Sequence, residues 1–218
     1  NLLAQAFADI TDQQIAAFKI QTGLQRMDST QIASNILNAS RLHLAVEAVQ
    51  RLTRLMSAEE QQRFSEYLTP YTQGDSGQYV YRVKGKRASE EALQQVGESL
   101  SHLLHVLKAR YEREAIYPVV QRFFDENFQV VENESVQAKD SKELGSGCLQ
   151  SLDDLEASYR QKGSHFYKGY VVNLSETCAT QNSLQLITQV QVTSNNVEDA
   201  DLLIEALPEL KERMPLDT

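Results

Sequence analysis

Asp28, within residues 25–35 (QRMDSTQIASN), is the acidic residue whose setting is most suggestive of chemistry. A carboxylate at the end of a short extended run can help to hold divalent metal for phosphoryl transfer. Such sites use two ions about 4 Å apart and several converging carboxylates. Residues 28–31 also fit a D-x-x-Q capping box for a following helix. The local sequence favours the cap, because one Asp alone does not form a metal site.

A small basic-aromatic cluster precedes a predicted hairpin in the second half of the chain. Arg, Lys and Tyr side chains suit contacts with phosphate, although a turn between a helix and a strand would have a similar composition. The cluster therefore predicts a DNA-backbone contact or a structural turn. Its residues are Tyr159, Arg160, Lys162, Lys168 and Tyr170.

The other reactive side chains carry weaker signals. His102 and His105 are three residues apart on a predicted helix, but no acid or third His follows at a matching step. We therefore expect a solvated or packed helix face. Cys148 and Cys178 lack metal-ligand spacing. They predict reduced thiols in a cytoplasmic protein, with one disulfide left open.

The composition of the 218-residue chain is that of a globular protein, with 41% apolar and 23% charged residues. Its net charge of −9 argues against a free-standing DNA binder, because phosphate contacts need clustered Lys and Arg. No apolar run approaches the roughly 20 residues of a membrane span, and no secretion leader is visible. We expect a cytoplasmic protein without a membrane partner.

Helical patterns dominate the first 131 residues. A helix near residues 2–10 and a capping box at Thr11 precede a short strand at residues 24–28. Helices are then predicted at about residues 30–56, from the capping box at Ser57 to residue 68, at residues 89–111, and from Pro118 onward. Residues 79–84 alternate weakly and suggest an extended segment. The strongest helix carries an apolar stripe, which predicts a bundle core or a dimeric coiled coil: Leu93, Val96, Leu100, Leu103 and Leu107.

The pattern changes after a polar segment, residues 132–150, which we interpret as a linker. Alternation at residues 170–175 and 184–192, around the polar turn at residues 179–183, predicts an antiparallel hairpin. Gln189 and Gln191 would share one face, and Val190 and Val192 the other. A final helix is predicted with an inner stripe of Val197, Ala200, Ile204 and Leu207.

The strand near Asp28 has no neighbour in sequence with which to pair. It would most simply join the distant hairpin, which makes the helical block an insertion between strands of one sheet. The expected fold is α+β and mostly helical. The predicted divisions are residues 1–32 (N-terminal helices and first strand), 33–131 (helical insertion), 132–150 (linker) and 151–218 (hairpin and helix).

Three blocks of the chain resemble DDE-type transposases of bacterial insertion sequences, in the branch with a helical insertion after the first catalytic acid. They are LQRMDSTQIASNILNASRLHLAVEAVQR, LQSLDDLEASYRQKGSHFYKGYVVNLSETC and LQLITQVQVTSNNVEDADLLIEALPELKER. The order and spacing of the blocks span almost the whole chain. The resemblance implies a ribonuclease-H-like fold, here a partial sheet of one strand plus a hairpin.

The resemblance also implies a mechanism, in which three acids bind two Mg²⁺ (or Mn²⁺) ions that activate water or a DNA 3′ hydroxyl. Asp28 matches the first acid, and the basic-aromatic cluster would contact the DNA backbone. The implied partners of the full-length parent are transposon-end DNA and further copies of itself. The second and third acids would lie beyond Thr218. We therefore expect this fragment to bind no metal and to be inactive alone.

Two hypotheses follow from the sequence. The leading one is a truncated catalytic region of a DNA transposase, with Mg²⁺-dependent strand cleavage and transfer in the parent. In that case the acidic charge would describe a core without its basic DNA-binding region. The alternative is a non-catalytic helical interaction module, or a degenerate remnant, that binds partners through the stripe from Leu93 to Leu107.

Overall fold

A computed structural model describes residues 2–33, 39–131 and 135–214. Over these residues the chain is an α+β protein with more helix than strand and small antiparallel sheets. The helices are α1 Leu2–Phe18, α2 Arg41–Leu55, α3 Ala58–Arg63, α4 Ser65–Thr72, α5 Ser76–Arg82, α6 Lys86–Tyr111, α7 Ile116–Asn127 and α8 Asp199–Arg213. The strands are β1 Gln25–Ala33, β2 Phe128–Val130, β3 Val136–Ala138, β4 Ser158–Lys162, β5 His165–Thr177 and β6 Ile187–Ser194.

The chain divides into two compact units. The sheet unit combines residues 1–34 with residues 159–218, and the helical unit contains residues 35–158. The sheet unit is therefore discontinuous in sequence. Residues 151–158, which the sequence grouped with the hairpin, fall in the helical unit, where Leu152 is buried in the core.

One hydrophobic core holds the helical unit together. The helix α2 begins after Ser40, whose Oγ accepts a hydrogen bond from the backbone N–H of His43, and it packs against α6. The predicted stripe of α6 lies in this core, which confirms its interpretation as the seam of a bundle. Its buried side chains therefore offer no surface to a partner. The core side chains with no exposed surface are Ala45, Val46, Ala48, Val49, Leu52, Val96, Leu100, Leu103, Val120 and Phe123.

Three predicted elements in this part of the chain were wrong. The single helix predicted from Ser57 to residue 68 is two helices, α3 and α4, which meet at Phe64. The helix predicted from Thr30 begins at Arg41 instead, because residues 30–33 belong to strand β1. Residues 34–38, which the prediction also covered, lie outside the described residues. Residues 76–82 form helix α5 and not an extended segment. The Asp75 carboxylate caps α5 by accepting a hydrogen bond from Gln78 N at 2.8 Å, which stabilises its first turn.

A short hairpin of β2 and β3 packs against α6. Phe128, at the start of β2, is 2% exposed and its ring stacks on that of Phe124 at a centroid distance of 5.3 Å. The ring lies directly over Gly97 of α6. A Cβ at Gly97 would stand 2.4 Å from Phe128 Cε1, well inside van der Waals contact. The absence of a side chain at this position thus lets the hairpin approach the helix.

The segment predicted as a linker, residues 132–150, packs on the helical unit over its described part. The Gln94 side chain donates a hydrogen bond to Val136 O and accepts one from Ala138 N, so α6 satisfies one edge of β3. Val136 and Leu149 are both buried in the core. Most residues of the segment are polar because one side of it is exposed. The few buried residues that attach it to the core were therefore not recognised in the sequence.

Glu60 connects the start of α3 to the end of α6. It forms the predicted capping box with Ser57, since Glu60 Oε2 accepts a hydrogen bond from Ser57 N at 2.9 Å. The same oxygen accepts one from the Tyr111 hydroxyl at 2.6 Å, and Arg110 Nη1 lies 2.9 Å from Oε1. The bond from Tyr111, followed by the bonds from Ser57 and the charge of Arg110, lowers the pKa of Glu60 to about 2.

We expect Glu60→Gln to lower the free energy of unfolding at pH 7 by about 0.5–2 kcal/mol, because glutamine can keep the capping-box bond but replaces charge-assisted hydrogen bonds with weaker neutral ones. The folded-state pKa of about 2 lies below the ordinary value of 4.5. The carboxylate therefore stabilises the fold above about pH 4.5, and this contribution is lost as the pH falls towards 2. Urea unfolding at pH 7, 4.5 and 3 should show the difference between the two proteins shrinking. Glu59→Gln is the exposed control, and a difference independent of pH would contradict the assignment.

Strand β5 is the centre of the sheet unit. It pairs antiparallel with β1 and with β6 and also pairs with β4. Asp28 lies opposite Leu174, and Val172 lies opposite Val192. The predicted hairpin and the predicted pairing of the first strand with it are both confirmed. The first strand is longer than expected, because it continues to Ala33.

The sheet face covered by α8 is polar. Gln189 Nε2 donates a hydrogen bond to Glu209 Oε2 at 3.0 Å, and Gln191 Nε2 donates one to Leu202 O at 3.2 Å. Asn173, which is 2% exposed, donates to Gln191 Oε1 at 2.7 Å. Side-chain amides therefore attach α8 to the sheet where most sheets use apolar contacts.

The opposite sheet face is exposed and carries apolar side chains together with Asp28. Ile32, Val190 and Val192 have 47%, 45% and 63% of their surface exposed. The predicted separation of Gln and Val side chains on β6 is confirmed. The helix lies on the Gln side of the strand, whereas simple burial of apolar residues would have placed it on the Val side.

The helix α1 is continuous from Leu2 to Phe18, so the predicted break and capping box at Thr11 were wrong. Thr11 is 4% exposed inside the helix. Its neighbour Asp12 is engaged elsewhere, because Arg213 Nη2 of α8 lies 2.7 Å from Asp12 Oδ1. The acid that resembled part of a cap thus joins α1 to α8.

The inner stripe predicted for α8 was also wrong. Ile204 is 68% exposed, whereas the buried residues of this helix are Leu202, Ala206 and Leu210. Ile15 of α1 packs against the cluster formed by Ala206, Leu210 and Met214. Apolar residues occur on both sides of α8, so periodicity alone did not determine which side is buried.

The two cysteines are free thiols, so the disulfide that the sequence left open is not formed. Burial raises the pKa of the Cys148 thiol, which disfavours the reactive thiolate. Within the described ranges, no helix is long and apolar enough to cross a membrane.

Candidate functional site

Asp28 is the fourth residue of β1 and its side chain is exposed. Its Oδ1 accepts a hydrogen bond from the backbone N–H of Ser29 at 3.0 Å, and the strand continues beyond it. The predicted helix cap is therefore wrong, and so is the placement of Asp28 at the end of its strand. Arg26 lies two residues before it and pairs with Glu176 at 2.7 Å. The Asp28 carboxylate thus stands on an accessible sheet face beside one ion pair.

A second carboxylate lies near β1, but it belongs to the opposite face. Ser29 Oγ donates a hydrogen bond to Asp199 Oδ1 at 2.8 Å, at the first turn of α8. Consecutive strand residues point to opposite faces, so Asp28 and Asp199 do not converge. Among the described residues, no three His, Cys, Asp or Glu side chains form a group that could hold a metal ion.

His102 and His105 belong to the helical unit and do not form a metal site. The His102 ring stacks on Tyr67 at a centroid distance of 4.0 Å and meets the edge of Phe64 at 5.9 Å. His105 is exposed. The prediction of a packed or solvated helix face is confirmed, because His102 is packed against aromatic rings and His105 faces solvent.

The basic-aromatic cluster is brought together on β4 and β5. We call residues 158–168 the hairpin arm: β4, the turn at Gly163 and Ser164, and the start of β5. The backbone φ of Gly163 is +63°, a left-handed conformation that glycine adopts without strain and that this tight turn uses. Lys162 is exposed beside the turn. The cluster is therefore a hairpin and not the turn between helix and strand that its composition also permitted.

The cations of the cluster have different surroundings. Arg160 Nη1 donates hydrogen bonds to the carbonyl oxygens of Asn195 and Val197, at 3.1 and 2.8 Å, and so anchors the arm to the loop after β6. Lys168 is half-buried, and burial lowers the pKa of its ammonium. Lys162 is therefore the best placed of the three for an external phosphate.

The aromatic part of the arm includes a residue that the sequence analysis missed. Phe166 is 62% exposed, and its ring stacks on Tyr159 at a centroid distance of 5.9 Å. Tyr170, farther along β5, is half-buried in the sheet. The alternation of β5 from Tyr170 backwards could have identified Phe166, had the strand been extended to His165.

Comparisons of the chain with protein-family models, with curated proteins and with solved structures found no match. The functional argument therefore rests on the geometry of the two units. That geometry provides an exposed carboxylate on β1 and an anchored hairpin arm with an exposed lysine and an aromatic pair. Such an arm can hold a phosphate and present a stacking surface.

Proposed function

We propose that this chain is part of the catalytic region of a DDE-type DNA transposase, with a ribonuclease-H-like sheet interrupted by the helical unit. The observation that carries the proposal is the pairing of β1 with β5 across the inserted residues 35–158. This pairing puts Asp28, which matches the first catalytic acid by resemblance, on the same sheet as the hairpin arm. A purely helical interaction module would not need this long-range pairing.

The strand arrangement adds support. The order β1–β5–β6 is antiparallel, and α8 follows β6 in sequence. Among the described strands, β1 pairs on one side only, with β5. A further strand could pair along its other edge and bring an additional carboxylate close to Asp28.

The described residues do not fit a two-ion metal centre. Such a centre needs several converging carboxylates, and Asp28 supplies one. The Mg²⁺ or Mn²⁺ ions of the proposed enzyme therefore require acids from outside the described residues. We expect the chain as given to bind DNA without cleaving it.

The hairpin arm would supply the DNA contact in the sheet unit. Lys162 can pair with a phosphate, while Arg160 fixes the arm through two backbone carbonyls. The stacked rings of Tyr159 and Phe166 provide an exposed aromatic surface beside it. In the proposed role Arg160 positions the arm, and Lys162 touches the substrate.

Two measurements test this function. Duplex DNA binding, followed by fluorescence anisotropy, should weaken about three- to tenfold in Lys162→Glu, as expected for one lost phosphate contact. The control Lys19→Glu makes the same charge change at another site of the sheet unit.

In a full-length transposase that carries this chain, Asp28→Asn should abolish strand cleavage in Mn²⁺ while leaving DNA binding intact. Cleavage that survives in Asp28→Asn would refute the assignment.

A further inference from the structure

A compact basic surface lies in the helical unit, where the sequence analysis had assigned no function. Four exposed cations occur around the junction of α5 and α6, and no Asp or Glu occurs between Asp75 and Glu90. This local excess contrasts with the net charge of −9 for the whole chain. We call this surface the basic corner; it consists of Arg82, Lys84, Lys86 and Arg87.

The backbone holds these cations close together. The helix α5 ends at Arg82 and α6 begins at Lys86, so two helices meet within three residues. The turn passes through Gly85, whose φ of +88° lies in the region that favours glycine. No heavy atom outside its immediate chain neighbours comes within 4 Å of a Cβ built at Gly85, so the corner is open. The geometry therefore presents the cations together and leaves them accessible.

The contacts that these cations make within the protein leave the cations accessible to an anionic ligand. Lys86 Nζ lies 3.7 Å from Glu90, and Arg87 Nε lies 2.8 Å from Glu91, with about nine-tenths of each basic side chain exposed. Such exposed pairs contribute little to stability, so they compete weakly with a phosphate for the same cations. Lys84 Nζ sits 3.8 Å above the ring of Tyr81, which is 76% exposed. The corner thus combines exposed cations with one planar aromatic ring.

One further feature favours a negatively charged ligand here. The 26-residue helix α6 starts at the corner with Gly85 as its N-cap, no side-chain capping bond and no acid in its first turn. The positive end of its dipole therefore adds to the charge of the lysines.

We propose that the basic corner binds the sugar-phosphate backbone of duplex DNA, independently of base sequence. It rests on the proposed function only for the choice of DNA as the polyanion. Lysine and arginine side chains, helix N-termini and tyrosine are the usual donors to phosphate. The exposed residues of the corner include no Leu, Ile or Phe that could insert into a bilayer, which disfavours an anionic membrane.

The test is duplex binding by the full chain, measured by fluorescence anisotropy with a 30-base-pair DNA of arbitrary sequence at several salt concentrations. The double variant Lys84→Glu/Lys86→Glu should weaken binding about tenfold or more and reduce the slope of log K against log[salt] by about 1–2. A Glu at the first position of α6 suits the helix dipole, so the fold should be retained. Circular dichroism and thermal unfolding verify this, and the milder Lys84→Gln/Lys86→Gln should show an intermediate loss.

The control is Lys108→Glu/Arg113→Glu, which makes the same charge change at exposed positions near the other end of α6. Equal losses in the two double variants would mean that only net charge matters and would overturn the proposal. So would unchanged DNA binding accompanied by a shift from dimer to monomer in sedimentation, since the corner would then bind an acidic surface of a second copy.

The hairpin arm is tested separately in the same assay. Loss of binding in the corner variant alone would support the corner and remove the DNA contact assigned to Lys162. Loss in Lys162→Glu alone would overturn the corner while leaving the proposed function intact. The two proposals therefore fail in distinguishable ways.

Discussion

Leu100→Asp should unfold the helical unit. Leu100 has no exposed surface and lies in the seam of α6 within the core. Truncating a buried Leu costs about 2–5 kcal/mol, and a buried carboxylate without a partner adds several more. We expect a loss of more than about 4 kcal/mol in the free energy of unfolding, measured by urea titration with circular dichroism. A loss of this size would leave the unit largely unfolded at 25 °C.

This substitution also separates two interpretations of the apolar stripe. A coiled coil between two chains predicts that Leu100→Asp gives a folded monomer, whereas the observed core predicts loss of helical structure. The control His105→Asp introduces the same charge at an exposed position of the same helix. It should remain folded within about 0.5 kcal/mol of the parent, as surface substitutions usually do. A folded, monomeric Leu100→Asp protein would contradict the core assignment.

Gly97→Ala should destabilise the protein even though alanine is the better helix former. The replacement gains about 1 kcal/mol in helix propensity. Its Cβ would stand 2.4 Å from Phe128 Cε1, and the Phe128 ring is held by its stack on Phe124. Overpacking of this kind costs about 1–3 kcal/mol. Subtracting the gain from the cost leaves an expected net loss of up to about 2 kcal/mol in the free energy of unfolding, measured by urea titration.

A double-mutant cycle tests the cause of that loss. In a Phe128→Leu background two of the three ring atoms that meet the new Cβ, Cε1 and Cζ, are gone, so Gly97→Ala should become less destabilising than in the parent. Gly145→Ala is the matched control, because no heavy atom lies within 4 Å of its added Cβ. Stabilisation by Gly97→Ala in the parent would show that the hairpin can shift away from α6 at little cost.

Helices and strands that are determined by local sequence patterns could be predicted from the sequence. The α6 stripe repeats at three- and four-residue steps, and β5 and β6 alternate, so their type was evident. Residues 30–33 were assigned wrongly because their conformation has a distant cause. They are strand because they pair with β5, where Arg26 of the same strand bonds to Glu176, 150 residues away. A local cap pattern competed with that pairing and placed the start of the predicted helix at Thr30.

The sequence predicted which residues belong to the candidate site, but it did not predict the role of each residue. The sequence identified Arg160 and Lys162 together, but only the fold separates an arginine that bonds two carbonyl oxygens from an exposed lysine. The basic corner was missed because residues 79–84 were interpreted as extended. An extended segment would have placed Arg82 and Lys84 on one face, but it would not have placed them at the N-terminus of α6, where the turn between two helices gathers them with Lys86 and Arg87.

The insertion of the helical unit between the two parts of the sheet affects how the protein is made. Strand β1 leaves the ribosome long before β5, and residues 35–158 must be synthesised in between. At about 5–20 residues per second, β1 waits on the order of ten seconds for its partner. Its apolar and β-branched side chains, such as Ile32, are exposed during that interval. The helical unit can fold meanwhile, and by shortening the distance between the chain ends it would lower the entropic cost of closing the sheet.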